Sequence, residues 1–380
     1  MPSPSLSLRG GRGTTLALVA VIFLAACGGA SPAPSGPAPT SAAAKPASAS
    51  AGPASQAAAA KPGLKKLRYG SIHSVGADSA VFVALDQGYF AEQGIDLEIV
   101  DFATAVDMIP ALGTGQLETA AGITSAALWN AVSRGVAVKV VAGTSQSDPG
   151  PPPATVTAFV VRKSLVDSGK VKSMADIKGL NVVAPPPGNG VELLWSLIFK
   201  SAGLTRSDFT NVQLPITEVG AALINGKVDV AAMTEPSTTL VTNQGAGVAL
   251  LHDYDVYPNA QGGVLFYNPD FAKSDLAVPY MTAFLKGARL YTDAFGKKLP
   301  EARTKTIQAL VAHTALKDAS LFEKMVVPRI DPNGPPNVKS LQDQQDYFVS
   351  AGEQPKPVDI NTVVDLQYAK AAAAKLGPYS

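Results

Sequence analysis

An eleven-residue pattern of this chain occurs twice, and the repeat limits the folds open to it. Ala111-Leu112-Gly113-Thr114-Gly115-Gln116-Leu117-Glu118-Thr119-Ala120-Ala121 lies over Ala222-Leu223-Ile224-Asn225-Gly226-Lys227-Val228-Asp229-Val230-Ala231-Ala232 at a constant offset of 111. With one residue deleted the register continues: Arg134-Gly135 falls on Gln244-Gly245, and 138–141 on 248–251. Each copy reads as a helix stopped by glycine, a tight turn, an acid and a buried strand. Two generic helix-to-strand turns could align by chance; the shared order of the flanking elements sets these apart.

Those flanking segments alternate strand-like and helix-like. Strands at 67–72, 95–102, 117–122 and 138–143 enclose helices at 80–93, 105–113 and 125–134; strands at 180–185, 211–215, 228–233 and 248–252 enclose helices at 191–202, 218–225 and 236–244. Repeated β-α-β units imply an α/β fold of two lobes, each a mostly parallel sheet flanked by helices. After a strand at 262–268 only helical segments follow, at 279–295, 301–315, 321–326, 338–351 and 362–376. So long a helical tail needs a sheet to pack on, which returns the chain to the first lobe. The expected division is therefore 64–152 with 261–380 for a discontinuous first lobe and 153–260 for the second. The crossings near 148–155 and 253–261 are rich in Pro, Gly, Asp or Asn, as connections should be.

Composition narrows the function. With 380 residues, 46% apolar and 16% charged, the chain can fill two globular cores. A net charge of +1 offers no basic surface for nucleic acid. One cysteine and three scattered histidines (His73, His252, His313) exclude a Cys/His metal centre, a disulfide framework and a CxxC redox pair, so no metal and no cofactor is expected. Asp331-Pro332-Asn333-Gly334 lacks the spaced oxygen ligands of a calcium loop and reads as a turn.

The amino terminus reads as an address. Arg9 and Arg12 precede an uncharged run from Thr14 to Ala26 that is too short to span a bilayer and matches an export signal, residues 1–26. Leu24-Ala25-Ala26-Cys27 resembles the bacterial lipobox, which implies cleavage before Cys27 and lipidation of its thiol; an ordinary cleaved signal is the alternative. Residues 27–63 are almost entirely Ala, Pro, Ser and Gly after the cysteine and form a flexible tether.

Gly88-Tyr89-Phe90-Ala91-Glu92-Gln93-Gly94-Ile95-Asp96-Leu97-Glu98 resembles the substrate-binding proteins of ABC importers for nitrate, sulfonates, taurine and thiamine-precursor pyrimidines, with support from 111–122, 171–182 and 224–236. The resemblance covers roughly 66–270 closely and the rest by element order. It implies a periplasmic-binding-protein fold of the second type, closing on a ligand between its lobes. Members that supply a pyrimidine from their own histidine carry a cysteine-rich motif absent here.

Ligands of parallel sheets sit at strand C-terminal ends, where helix N-termini offer unpaired N–H groups. Five loops meet that description, at 71–74, 122–125, 145–148, 187–190 and 233–236, and they give His73, Ser74, Thr124, Ser125, Gln146, Asn189, Gly190 and Glu235 as candidate ligand-binding residues. The resemblance supports His73, which matches a polar position in that family. Plainer roles compete: His73 as a solvated side chain, Ser74, Thr124 and Ser125 as helix caps, 188–190 as a turn, Glu235 as a carboxylate at a helix start. Trp129 and Trp195 read as core.

The expected function is a lipid-anchored, extracytoplasmic, monomeric binding protein that delivers a small molecule to ABC permease subunits and is not an enzyme; an exported enzyme or a ligand sensor on the same scaffold is the alternative. The five loops hold no Lys or Arg but include Asp148 and Glu235, with Asp78 nearby. A neutral, zwitterionic or amine-bearing nitrogenous ligand is therefore expected ahead of a simple anion.

Overall fold

The computed structural model describes residues 63–380; the export signal, Cys27 and nearly all of the tether lie outside the described residues. Ten strands form two five-stranded sheets. The first holds β1 (Lys65–Ser71), β2 (Ile95–Asp101), β3 (Thr119–Ile123), β4 (Lys139–Gln146) and β10 (Gln261–Tyr267) in the order β2-β1-β3-β10-β4. The second holds β5 (Ala158–Arg162), β6 (Asn181–Val183), β7 (Thr210–Asn211), β8 (Val230–Met233) and β9 (Gly247–His252) in the order β7-β6-β8-β5-β9. The two orders are the same pattern. In each, one strand runs antiparallel between two neighbours, β10 between β3 and β4, β5 between β8 and β9, and that strand follows a crossing from the other sheet.

The repeated sequence lies at equivalent places, because β3 and β8 hold the same position in the two orders. The equivalence extends to single hydrogen bonds. The amides of Gln116 and Leu117 both donate to the Ala111 carbonyl, as those of Lys227 and Val228 donate to Ala222. Gly115 and Gly226 each end their helix at φ 72°, a left-handed conformation that costs an L-residue about 1–2 kcal/mol. The acid that follows closes onto the neighbouring strand in both lobes: Glu118 accepts from the Arg68 amide at 2.7 Å, Asp229 from the Asn181 amide at 3.0 Å. Each also takes an arginine, Arg68 or Arg162.

Helices cover both faces of each sheet. On the first, the long helices Ala277–Phe295 and Pro300–His313 join Leu67, Tyr69, Val141 and Leu265 in one core, while Val338–Ser350 packs Leu341 and Phe348 against Met108, Trp129 and Val140 on the opposite face. In the second, Trp195 of Glu192–Ala202 lies fully buried against Phe159.

Three expectations change. The segment expected as one helix at 80–93 is two, Ser79–Asp86 and Tyr89–Glu92, because Gly88 at φ 74° breaks it. The tail segment at 362–376 is split into Ile360–Val363 and Gln367–Leu376, because Val364 bridges Val140 on the outer edge of β4. The segment at 321–326 is a 3₁₀ turn, Ala319–Glu323. Strand β5 has no counterpart in the sequence reading, although Ala158 to Val161 is an unbroken buried run.

The crossings, 147–157 and 253–260, are tied to each other. The Ser147 amide donates to the Ala260 carbonyl at 3.0 Å and the Ala260 amide to Ser147 Oγ at 2.9 Å. Asp253, buried, accepts from Thr155 Oγ1 at 2.7 Å and from the amides of Val156 and Thr157. Burial raises its carboxyl to about 6 against these bonds.

Candidate functional site between the two sheets

The parallel strands of both sheets end in loops that meet between the lobes. The closest meeting joins the loop after β3 to the loop after β6. The amide of Ala126, first residue of helix Ala126–Ser133, donates to the Gly188 carbonyl at 3.1 Å. Gly190 lies so close to the first lobe that a Cβ there would stand 2.4 Å from the Thr124 carbonyl oxygen and 2.4 Å from Ile123 Cγ2. Only a residue without a side chain fits this approach.

The candidate residues separate into groups. Thr124, Ser125, Asn189 and Gly190 come together at this joint. Thr124 is buried and donates its hydroxyl to Gln344 Oε1 at 2.5 Å. Ser125 caps its helix by accepting from the Leu128 amide at 3.3 Å, and Asn189 accepts from the Val191 amide at 3.0 Å. Gln146 lies at the crossing, donating to Gln261 Oε1 at 2.9 Å. Glu235 sits at another contact. It accepts from Thr239 Oγ1 at 2.9 Å and the Thr239 amide at 3.1 Å, and from the Val326 amide at 3.4 Å, which ties the β8 loop to the tail. Burial raises its pKa against these bonds.

His73 and Ser74 are engaged within the first lobe. Ser74 Oγ accepts from the Gly76 amide at 3.0 Å, a turn cap. His73, at φ 53°, places Nδ1 2.6 Å from the His313 carbonyl and Nε2 2.7 Å from Asp101 Oδ1. Both partners are acceptors, so both ring nitrogens must carry protons and the ring is an imidazolium. Partial burial lowers its pKa, but the Asp101 and His313 bonds outweigh it and the net shift is upward. Beneath this loop Asp78 accepts from Tyr69 Oη at 2.6 Å and the Ser74 amide at 2.8 Å, and burial raises it to about 6. Asp148 pairs with Arg329. All three carboxylates of the charge argument are thus internally bonded, which weakens the repulsion expected against an anion.

Little space remains at the joint. A cavity of about 20 Å³ lies among Ile123, Gly190, Thr157, Asp253, Gln261 and Gln344. That admits about one water and no nutrient-sized molecule. Thr157 Oγ1, on its wall, is buried without a partner. A ligand can enter only if the loops part. A larger cavity, about 480 Å³, lies beside the proline-rich crossing between Pro151–Pro153, Phe295 and Met325; of the cations on its lining, Arg303 and Arg329 are paired with Glu323 and Asp148, and Lys298 is the third. Among the described residues no three His, Cys, Asp or Glu side chains are grouped to hold a metal ion, and no helix is long and apolar enough to cross a membrane.

The sequence reading missed the tail's share in the joint. Tyr257 of the second crossing bonds Asp343 of helix Val338–Ser350, and Asn130 Nδ2 donates to the Glu353 carbonyl at 2.8 Å. The parting of these residues in sequence leaves no local pattern from which the contacts can be read.

Over residues 78–294, more than half of its length, the chain matches the family described as NMT1/THI5 like. It is 25% identical over 286 residues to the riboflavin-binding protein RibY of Chloroflexus aurantiacus, covering 72% of each chain. Its fold is similar to the ligand-binding component of an ABC-type import system from Staphylococcus aureus, solved with zinc bound (TM-score 0.63, 16% identity, 81% of this chain and 99% of that one). It is also similar to the periplasmic aliphatic sulphonate binding protein SsuA of Escherichia coli (TM-score 0.61, 20% identity, 79% and 92%). The fold is that of the two-lobed periplasmic binding proteins, as the sequence resemblance implied.

Proposed function

The chain belongs to the NMT1/THI5-like family, and from that premise we propose that it is a lipid-anchored extracytoplasmic solute-binding protein that captures a small molecule between its lobes and passes it to an ABC importer permease. One observation carries the reading. Two sheets of identical strand order, joined by two bonded crossings, bring their loops together until about 20 Å³ remains at the joint. Such a body has two states: loops parted to admit a ligand, and loops closed on it by hinge bending. The loops around the joint hold backbone amides, hydroxyls and carboxamides, the groups that orient a polar ligand. They present no nucleophile beside a free base, because His73 is doubly bonded and Ser74 caps a turn, so binding is favoured over catalysis.

The ligand class follows from cations rather than carboxylates. The five loops contain no Lys or Arg, and the His73 imidazolium is neutralised by Asp101. A bare anion would meet N–H dipoles, hydroxyls and carboxamides but no unpaired cation of these loops, so a neutral or zwitterionic nitrogenous molecule fits better. Riboflavin for RibY and sulphonate for SsuA show that proteins similar to this chain are named for ligands that differ in size and charge.

Mass spectrometry of small molecules released on denaturing the purified full chain tests this, followed by small-angle scattering with the compound returned. The expected result is a smaller radius of gyration on binding, and Gly190→Val, which wedges the joint, should lose that compaction and most of its affinity. A micromolar ligand that binds with an unchanged scattering profile would sink the proposal. The anchor is tested separately: Cys27→Ser should stay unprocessed, and mature protein that stays soluble after fractionation without detergent would refute lipidation.

A further inference from the structure

A second contact between the lobes has a chemistry that hinge closure alone does not require. Glu192 opens helix Glu192–Ala202 in the second lobe and is only 3% exposed. Its Oε2 accepts from the Gly188 amide at 2.9 Å and its Oε1 from Arg206 Nη2 at 2.5 Å. Against it, from the tail that packs on the first sheet, comes Glu353, whose Oε2 stands 3.9 Å from where a Cβ would sit on Gly188, the residue whose amide Glu192 holds. Glu353 Oε2 is buried without a hydrogen-bond partner, the nearby Gly188 amide being held by Glu192 Oε2. Two carboxylates bond each other only when one carries a proton, and a buried acceptor left bare beside a like charge is costly. The orphaned oxygen is therefore satisfied if a proton sits between the two groups.

We infer that the lobes of this protein are latched by a proton held between Glu353 and Glu192, so that closing takes up a proton and rising pH opens the joint. The other charged or titratable groups facing the pair are Arg206 from the turn Arg206–Asp208, Lys200 at the rim of the same crevice, and Tyr347 of helix Val338–Ser350. Arg206 supplies one positive charge for two carboxylates. Tyr347 stays neutral, its hydroxyl pushed up to about 12 by burial and by the two glutamates. The crevice of about 350 Å³ lined by Glu192, Arg206 and Tyr347 lets solvent protons reach the Glu192 side of the pair. Burial and the neighbouring Glu192 charge raise the pKa of Glu353. The sign follows from linkage. When the lobes part, Glu353 returns to water and toward its ordinary pKa, so the latch is complete at low pH and lost as pH rises through the raised value.

The test uses the full chain with Cys27→Ser and fluorophores on Lys170→Cys and Lys273→Cys, both exposed and on opposite lobes. Energy transfer is measured without ligand from pH 4.5 to 8. In the otherwise wild-type chain the closed-to-open ratio should fall by up to about tenfold per pH unit over part of that range, one proton being the most the pair can exchange. In Glu353→Gln the amide donates to Glu192 without titrating, so this component vanishes and the joint stays closed. Contributions from Glu235 and Asp253 persist in the variant and cancel in the comparison. Should the glutamine variant fail to melt cooperatively, Glu353→Ala should also lose the component, with the joint more open throughout. Identical pH profiles in the parent and in either folded variant would overturn the inference.

Discussion

The two sheets share a strand order but not a build. The strands of the first run to seven, seven, five, eight and seven residues in chain order, those of the second to five, three, two, four and six. The first is also covered on both faces by the tail, with helices Ala277–Phe295 and Pro300–His313 on one side and Val338–Ser350 on the other. A common topology therefore serves two tasks: a heavily buttressed platform, and a lighter lobe that carries the 186–191 loop to it. Stability should be unevenly shared, and the difference can be attacked at matched positions.

The largest effect is expected at Trp195, whose ring packs edge-on to Phe159 at 5.1 Å and against Phe199 at 5.2 Å. Trp195→Ala should remove about 3–5 kcal/mol from the second lobe. Hydrogen exchange should then speed across β5 to β9 while β1 to β4 stay protected. Loss of protection in both sheets together would mean that the lobes unfold as one unit.

Next come the paired acids. Asp229 has a side chain 9% exposed and Glu118 one 22% exposed, each gripping an arginine and a strand amide. Asp229→Ala should cost about 2–3 kcal/mol and Glu118→Ala nearer 1, because water more readily replaces the lost bonds of the more exposed acid. Urea denaturation measures both, and equal losses would remove burial as the reason for the difference. The smallest effect belongs to the helix-ending glycines. Gly115→Ala and Gly226→Ala, at the same φ, should each cost about 1 kcal/mol and match within error. A clear inequality would show that the two turns are alike in shape only.

The repeated turn was legible because local bonds write it: a left-handed glycine, two amides on one carbonyl, and an acid on a neighbouring amide need fixed residue types at fixed spacing. The cap at Ser125 and the buried Trp129 and Trp195 were legible on the same grounds. Strand β5 was not, since it follows directly on a proline-rich crossing and has no partner nearby in sequence; its neighbours are β8 and β9. The loops were readable as strand ends, but the engagement of His73 was not, because its partners, the His313 carbonyl and Asp101, arrive from distant elements. Glu353 lies beyond any local rule, since a carboxyl meets another carboxyl there only through the docking of the tail.

The placement of β10 sets an order on assembly as the chain emerges from its amino end. Strand β4 has no partner among the strands made before it, since β10 alone lies between it and β3. By the time residue 252 is complete, all five strands of the second sheet exist, while the first still awaits its middle strand. The later-starting lobe can finish first, and the earlier one must hold its apolar faces unjoined until residues 261–267 arrive. A partially made chain of this protein is therefore a finished insert carried by an unfinished host, and the host is where a holding chaperone would be needed.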